Sequence, residues 1–249
     1  MKRVGVVLID FQTALGRLLR VQDGTDPLRG LNLNTDERSY IESLTERAGF
    51  HFSVSIQRSW CIGRAAKSAY LTLSLLSDGE RRRLLEQWIS SGAGSQSFYE
   101  AEADSFLDFI SGQLIDPSHE LTVCQFEQAT LRASKGTNFY IAQDLHRLNN
   151  RDCMLGRGRY AGAVRFYAEP RRLMNSLLKH EPLPLLSHEV ITMLFGPGFE
   201  NLCRPASIDE GNLWDRLDGP VAMKALLSEG YQEETFITLL KGGAIEYSG

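Results

Sequence analysis

The chain has 249 residues, enough for one large domain or two small ones with a full core in either case. An apolar content of 43% with 23% charged residues is that of an ordinary globular protein and excludes wholesale disorder. The net charge is −4 and neither part is basic: 18 Lys and Arg stand against 19 Asp and Glu up to residue 157, and 9 against 12 beyond it. That balance argues against nonspecific nucleic-acid binding, which needs an excess of cationic side chains to neutralise phosphates.

The N-terminal apolar run is cut by Asp10 after six residues, too short for a secretory core. No stretch approaches the roughly 20 apolar residues of a membrane span. Cys61, Cys124, Cys153 and Cys203 are scattered without a CxxC spacing or a nearby histidine, as expected of reduced thiols in a cytoplasmic protein.

Val7, Phe11, Ala14, Leu15, Leu18 and Leu19 recur at helical spacing and predict a first helix over 6–20, broken by Gly24, Pro27 and Gly30. Asn34 and Glu37 form a capping box for a helix that buries Tyr40, Ile41, Leu44 and Ala48 and stops at Gly49. The organising stretch is Ile56–Leu76, IQRSWCIGRAAKSAYLTLSLL. Ile56, Trp60, Gly63 and Ala66 or Lys67 share one stripe, and Ala65, Ala66 and Ala69 keep the helix slim, which suits the middle of a bundle. Arg58 and Arg64 bracket Trp60 as surface arginines. Ser77 and Glu80 cap the next helix, which turns Leu84, Leu85, Trp88 and Ile89 inward and carries Arg81, Arg82 and Arg83 on its first turn. Three arginines there oppose the helix dipole.

Phe98, Ala101, Phe106, Phe109, Ile110 and Leu114 predict a helix over 97–114. Asp116–Pro117 reads as an N-cap and first helical position for a helix ending near Gly136, and Phe139–Leu148 as a further helix. Glu120, Cys124 and Glu127 share a face, with no histidine to make it a metal site. From Asn149 the chain changes: NNRDCMLGRGRYAG is loop-like, AVRFYAEP a short strand, and Pro170 opens a brief helix. HEVITMLF and FENLCRPAS flank a Gly-Pro-Gly turn as a hairpin. A capping box at Ser207 and Glu210, two more short helices and the closing strand AIEYS follow. The expected fold is mainly α with a small β part (α+β): a helical bundle over 1–157 and a winged-helix-like module over 158–249.

No GxSxG, P-loop, HExxH, DxDxDG or GxGxxG occurs, and His51, His119, His146, His180 and His188 are far apart. Gly156-Arg157-Gly158 lacks the strand-to-helix context of a phosphate loop. A winged helix raises the possibility of a DNA-binding transcription regulator. The reading helix would be Gln232–Lys241, whose Glu233 and Glu234 would meet phosphates with like charge.

IQRSWCIGRAAKSAYLTLSLL, DPSHELTVCQFEQATLRA, GRYAGAVRFYAEP, FGPGFENLCRP and the closing LLKGGAIE together resemble the TglI/MbnC-type partner proteins. These accompany iron-dependent TIM-barrel enzymes related to the methanobactin enzyme MbnB in ribosomal peptide natural-product biosynthesis. Length and layout lean to the TglI branch, linked to thiaglutamate-type products. The resemblance implies a helical region docked on the iron enzyme and a module similar to a RiPP recognition element that holds the precursor's leader peptide. This chain would then be noncatalytic and carry no cofactor, the iron belonging to the partner, which oxidises a cysteine of the peptide with loss of its β-carbon. A leader strand added beside the C-terminal sheet would meet Leu202, Arg204, Phe236, Leu240 and Lys241. Docking on the enzyme would use Arg58, Trp60, Arg64, Arg81, Arg82 and Arg83. An independent enzyme with a fold-assembled site is the third reading.

Overall fold

The computed structural model describes residues 3–20, 26, 28–47, 49–91 and 102–248. Readings that rest on Gly24, Pro27, Ala48, Phe98 and Ala101, or on the side chains of Val7 and Leu19, lie outside the described residues. The protein is mainly helical, 57% helix, with two small antiparallel sheets, an α+β protein. Among the described residues no helix is long and apolar enough to cross a membrane. The chain divides into two compact units, Met1–Gln113 and Leu114–Gly249.

The first unit contains α1 (Arg3–Arg20), α2 (Thr35–Thr45), α3 (Phe50–Ser68), α4 (Tyr70–Leu75), α5 (Asp78–Ser90) and α6 (Glu102–Ser111). Both expected capping boxes form: Asn34 and Glu37 exchange side-chain-to-backbone hydrogen bonds at the start of α2, as do Ser77 and Glu80 at α5. Each satisfies two N–H groups that the first turn leaves unpaired, and each cap is worth about 1 kcal/mol. The organising stretch is two helices, because Ala69 leaves helical geometry (φ −108°, ψ 33°).

Helix α3 packs against α1, α2, α5 and α6. Its buried residues are Arg58, Cys61 and Ala65, and the small side chains at 61 and 65 let neighbouring helices approach. Trp88 of α5 lies against Phe106 of α6 with ring centroids 5.2 Å apart, and its indole N–H donates to Ser105 Oγ at 3.2 Å. Leu84, Ile89, Leu107 and Ile110 complete that interior, while Ala14, Leu28 and Ile41 form a second cluster with Phe11, Leu15 and Leu18. The stripe Ile56, Trp60, Gly63 and Lys67 faces solvent, opposite the packed face.

The second unit begins with α7 (His119–Gly136). Its cap is Ser118, whose Oγ accepts from Leu121 N–H; the expected cap Asp116 instead accepts from the Tyr167 hydroxyl at 3.1 Å. The expected helix over Phe139–Leu148 reduces to a 3₁₀ turn, Leu145–Asn149, capped by Asp144. Tyr140 is held away from a helix by its hydroxyl, which donates to the carbonyls of Leu240 and Lys241 at 3.2 and 2.6 Å. There follow β1 (Met154–Arg157), β2 (Gly162–Phe166), α8 (Pro170–Lys179), β3 (Ile191–Phe195), β4 (Cys203–Pro205), α9 (Ile208–Arg216), β5 (Val221–Ala222), α10 (Met223–Ser228), α11 (Glu233–Lys241) and β6 (Ile245–Ser248).

One sheet has the order β5-β1-β6 and the other β2-β3-β4, all antiparallel. The expected hairpin forms as β3 and β4, with Leu194 opposite Arg204. Strand β1 arises where a loop is expected: Gly156 and Arg157 hide the alternation in its four residues, and pairing with both β5 and β6 supplies the order. Leu155, Leu213, Leu226, Phe236, Leu240 and Ile245 fill one core between α9, α10, α11 and the β1 sheet. On the other sheet, Phe126 of α7 meets Phe166 and Phe195 edge-on at 6.1 and 5.6 Å. This packing of α7 on β2 and β3 puts the division of the chain after Gln113, not at the expected 157/158 boundary, which lies at the end of β1.

Candidate functional site

The second unit carries a cleft built from four elements. Helix α7 presents Gln125, Gln128 and Arg132 to it, the end of β1 and the following turn Arg157 and Arg159, β2 Ala163 and Arg165, and α9 Trp214 and Asp215. Two lobes of about 270 and 390 Å³ share Gln125, Arg157, Ala163 and Trp214.

The arginines differ in how firmly they are held. Arg157 is fixed: its Nε and Nη2 donate to the Trp214 carbonyl at 3.1 and 3.0 Å, Nη1 donates to Asp218 at 3.0 Å, and its guanidinium lies 5.0 Å from the Trp214 ring centroid. Arg165 pairs with Asp215 at 2.8 Å, both side chains more than half exposed, a contact that water and salt weaken to well under about 1 kcal/mol. Arg159 stacks 5.4 Å from the Tyr160 centroid. Among the described residues neither Arg132 nor Arg159 has a carboxylate partner. The 270 Å³ lobe is bordered by Asp116 and Asp215, whereas among the described residues no acidic side chain borders the 390 Å³ lobe.

The floor of the cleft is an open strand edge, and the hydrogen bonds fix which groups it offers. Ala206 N–H donates to Thr192 O, and Gly196 N–H donates to Leu202 O. Thr192, Leu194 and Gly196 therefore turn their backbone groups toward β4, and Met193 and Phe195 turn theirs toward β2. Val164 and Gly162, opposite those two, bond inward, which leaves Ala163 and Arg165 directed outward. Thr122 Oγ1 takes up the Arg165 carbonyl at 3.3 Å, in keeping with that direction. The N–H and C=O of Ala163 remain at the edge, beside the two partnerless arginines.

The expected peptide-binding residues fare differently. Phe236 and Leu240 are fully buried in the core and drop out as surface contacts; their spacing on α11 is that of packing. Leu202 lies in the left-handed region (φ 62°) and turns the chain into β4. Arg204 is committed: both terminal nitrogens donate to the Glu210 carboxylate, and the guanidinium lies 5.0 Å from the Phe199 centroid. Arg204 and Ser207 hold the Glu210 carboxyl below its ordinary range, against the opposing effect of burial. Lys241 is exposed. The outer edge of β4 has one residue, Cys203, with an outward N–H, because Pro205 has none and its carbonyl accepts from Arg204.

Of the expected docking residues, Arg58 is a correction. It is 7% exposed, not a surface arginine, and donates to Glu86 Oε2 at 2.8 Å and Ser90 Oγ at 3.4 Å. Arg64 pairs with Glu102 at 2.6 Å. Arg81 donates to the carbonyls of Leu73 and Leu76 at 3.1 and 3.4 Å, which ties the end of α4 and accounts for a cation on the first turn of α5. Arg83 donates to Gln87 and Arg82 is exposed; Arg81 and Arg82 border a hollow of about 290 Å³ with Ile62 and Leu85. Trp60 is 65% exposed and stands in a row with Phe52 at 70% and Ile56 at 43%, one helical turn apart. Phe52 and its place in that row were outside the expected set.

Among the described residues no group of three His, Cys, Asp or Glu side chains is placed to hold a metal ion. Glu120, Cys124 and Glu127 remain on one face of α7, with Cys124 fully buried. Comparison with known proteins gives no matching family profile and no similar curated protein.

Proposed function

We propose that this protein is a noncatalytic recruiting subunit in the cytoplasm. Its helical unit docks on an iron-dependent TIM-barrel enzyme, and its α+β unit holds a ribosomally made precursor peptide for oxidation at a cysteine, in a thiaglutamate-type pathway with loss of the β-carbon. The observation that carries this reading is the row Phe52, Ile56 and Trp60, three large apolar side chains on one face of α3 left in water. Two aromatics and an isoleucine in line form the kind of anchor that protein interfaces bury at their centre. Arg82 is exposed on α5 beside Ile62, away from this row, whereas Arg58, Arg64 and Arg81 act within the unit.

The peptide-holding half of the proposal rests on the open edge of β2. An added strand gains affinity from backbone hydrogen bonds and selectivity from side-chain sites beside it. The succession α9, β5, α10, α11, β6, with β1 as the central strand, has the helix and strand order of a winged helix and supports a recognition-element-like module. DNA reading is disfavoured by Glu233 and Glu234, exposed on the first turn of α11. The role of the chain is proximity: it raises the local concentration of peptide at a site that belongs to another subunit.

The test is reconstitution with purified components. The barrel enzyme of the same host is incubated with iron, oxygen and the precursor peptide, with and without this chain. The proposal expects a mass change at a peptide cysteine only when the chain is present. Equal conversion without it rejects a recruiting role.

A further inference from the structure

We infer that the 390 Å³ lobe of the cleft is an acceptor site for one acidic side chain, Asp or Glu, of an extended peptide lying along β2. The inference rests on the peptide-holding reading above and adds the chemistry that selects the peptide. Arg132 from α7 and Arg159 from the β1–β2 turn border the lobe from two different elements, and neither has a carboxylate partner among the described residues. Arg157 also borders the lobe, with its donors already engaged by Trp214 and Asp218. Gln125 adds an amide, and among the described residues no Asp or Glu borders the lobe.

Two exposed guanidinium forks without a carboxylate partner among the described residues form a site for a planar anion, and a carboxylate matches that fork with two parallel hydrogen bonds. The Ala163 N–H and C=O at the same lobe supply the backbone partners of a strand, so the site sits where a side chain of that strand would project. A nucleic-acid strand fits less well. In the adjoining lobe Asp116 and Asp215 stand against Arg157 and Arg165, each of which already pairs with a carboxylate, so that lobe offers no net cation to a continuous row of phosphates.

The experiment selects from a displayed library of random 12-residue peptides with the full-length chain, and repeats the selection with R132E/R159E. Both substituted side chains are exposed, so circular dichroism of the variant should match the parent. The expected result is enrichment of Asp or Glu at one position of the peptides chosen by the parent chain, and loss of that preference with the variant. Replacing the enriched acid by its amide should weaken binding about tenfold, the effect of a charge-assisted hydrogen-bonded pair. Peptides chosen without an acidic position, or chosen equally by the variant, overturn the acceptor site and leave peptide recruitment standing. No peptide enriched above an unrelated control protein overturns both. A labelled 20-nucleotide single strand that binds more tightly than the selected peptides, and does so through Arg132 and Arg159, overturns the assignment in favour of nucleic acid.

Discussion

Replacing Trp60 by alanine isolates the proposed docking face. The indole is 65% exposed, so its removal takes little from the fold of the free chain, and substitutions at such positions change stability by about 0.5 kcal/mol or less. A tryptophan offers roughly 150–250 Å² of contact surface, of which about 100–160 Å² is still open to a partner at this exposure. At about 25 cal/mol per Å² that area corresponds to roughly 2.5–4 kcal/mol. Ordering costs and the retained Cβ reduce it to about 2 kcal/mol, the usual size of an interface hot spot. The expected loss is about 30-fold in Kd for the iron enzyme, measured by titration calorimetry with the purified barrel protein. Phe52→Ala should act in the same direction. A Kd unchanged within about twofold for Trp60→Ala, with the helical signal intact, would refute the docking face.

Other outcomes follow from contacts in each unit. Arg58→Ala should destabilise the first unit by about 1–2 kcal/mol in urea unfolding, because it empties a buried position between α3 and α5 while Glu86, more than half exposed, is left to water; a loss below about 0.5 kcal/mol would contradict that role. Gly196→Ala should cost about 1–3 kcal/mol, since a Cβ there overlaps the Gly242 carbonyl, and wild-type unfolding behaviour would contradict the close approach. The folded carboxyl of Glu210 titrates below its ordinary value near 4.5, chiefly through Arg204. Its contribution is therefore present above that value and lost as pH falls through the lower folded value. Glu210→Gln should flatten the fall in stability below about pH 4.5, and an unchanged acid-unfolding profile would contradict the pairing.

What could be read in the chain divides along physical lines. The capping boxes at Asn34, Ser77 and Ser207 were legible because donor and acceptor lie three residues apart and need nothing else. The hairpin of β3 and β4 was legible for the same local reason. Helix α3 was legible as a helix, but its orientation was not: apolar residues occupy two of its faces, and which face is packed depends on α5 and α6. Long-range partners overrode local signals elsewhere. Tyr140 is drawn to the carbonyls at the end of α11, and a helix over Phe139–Leu148 gives way. Strand β1 exists because two distant strands flank it. The cleft was beyond reach altogether, since Arg132, Arg159 and Arg165 lie on three elements and only the packing of α7 on β2 gathers them. Phe236 and Leu240 show the converse, a helical apolar pair whose spacing signals a core as readily as a groove.

The most direct measurement is a tagged pull-down of the full-length chain from its own host, with bound proteins and peptides identified by mass spectrometry and bound iron measured. The account predicts recovery of an iron-bearing TIM-barrel enzyme together with a small cysteine-containing peptide, and loss of the enzyme but not the peptide for Trp60→Ala. Recovery of DNA instead, or failure to retain the enzyme where it is expressed in the same cells, would contradict the recruiting role.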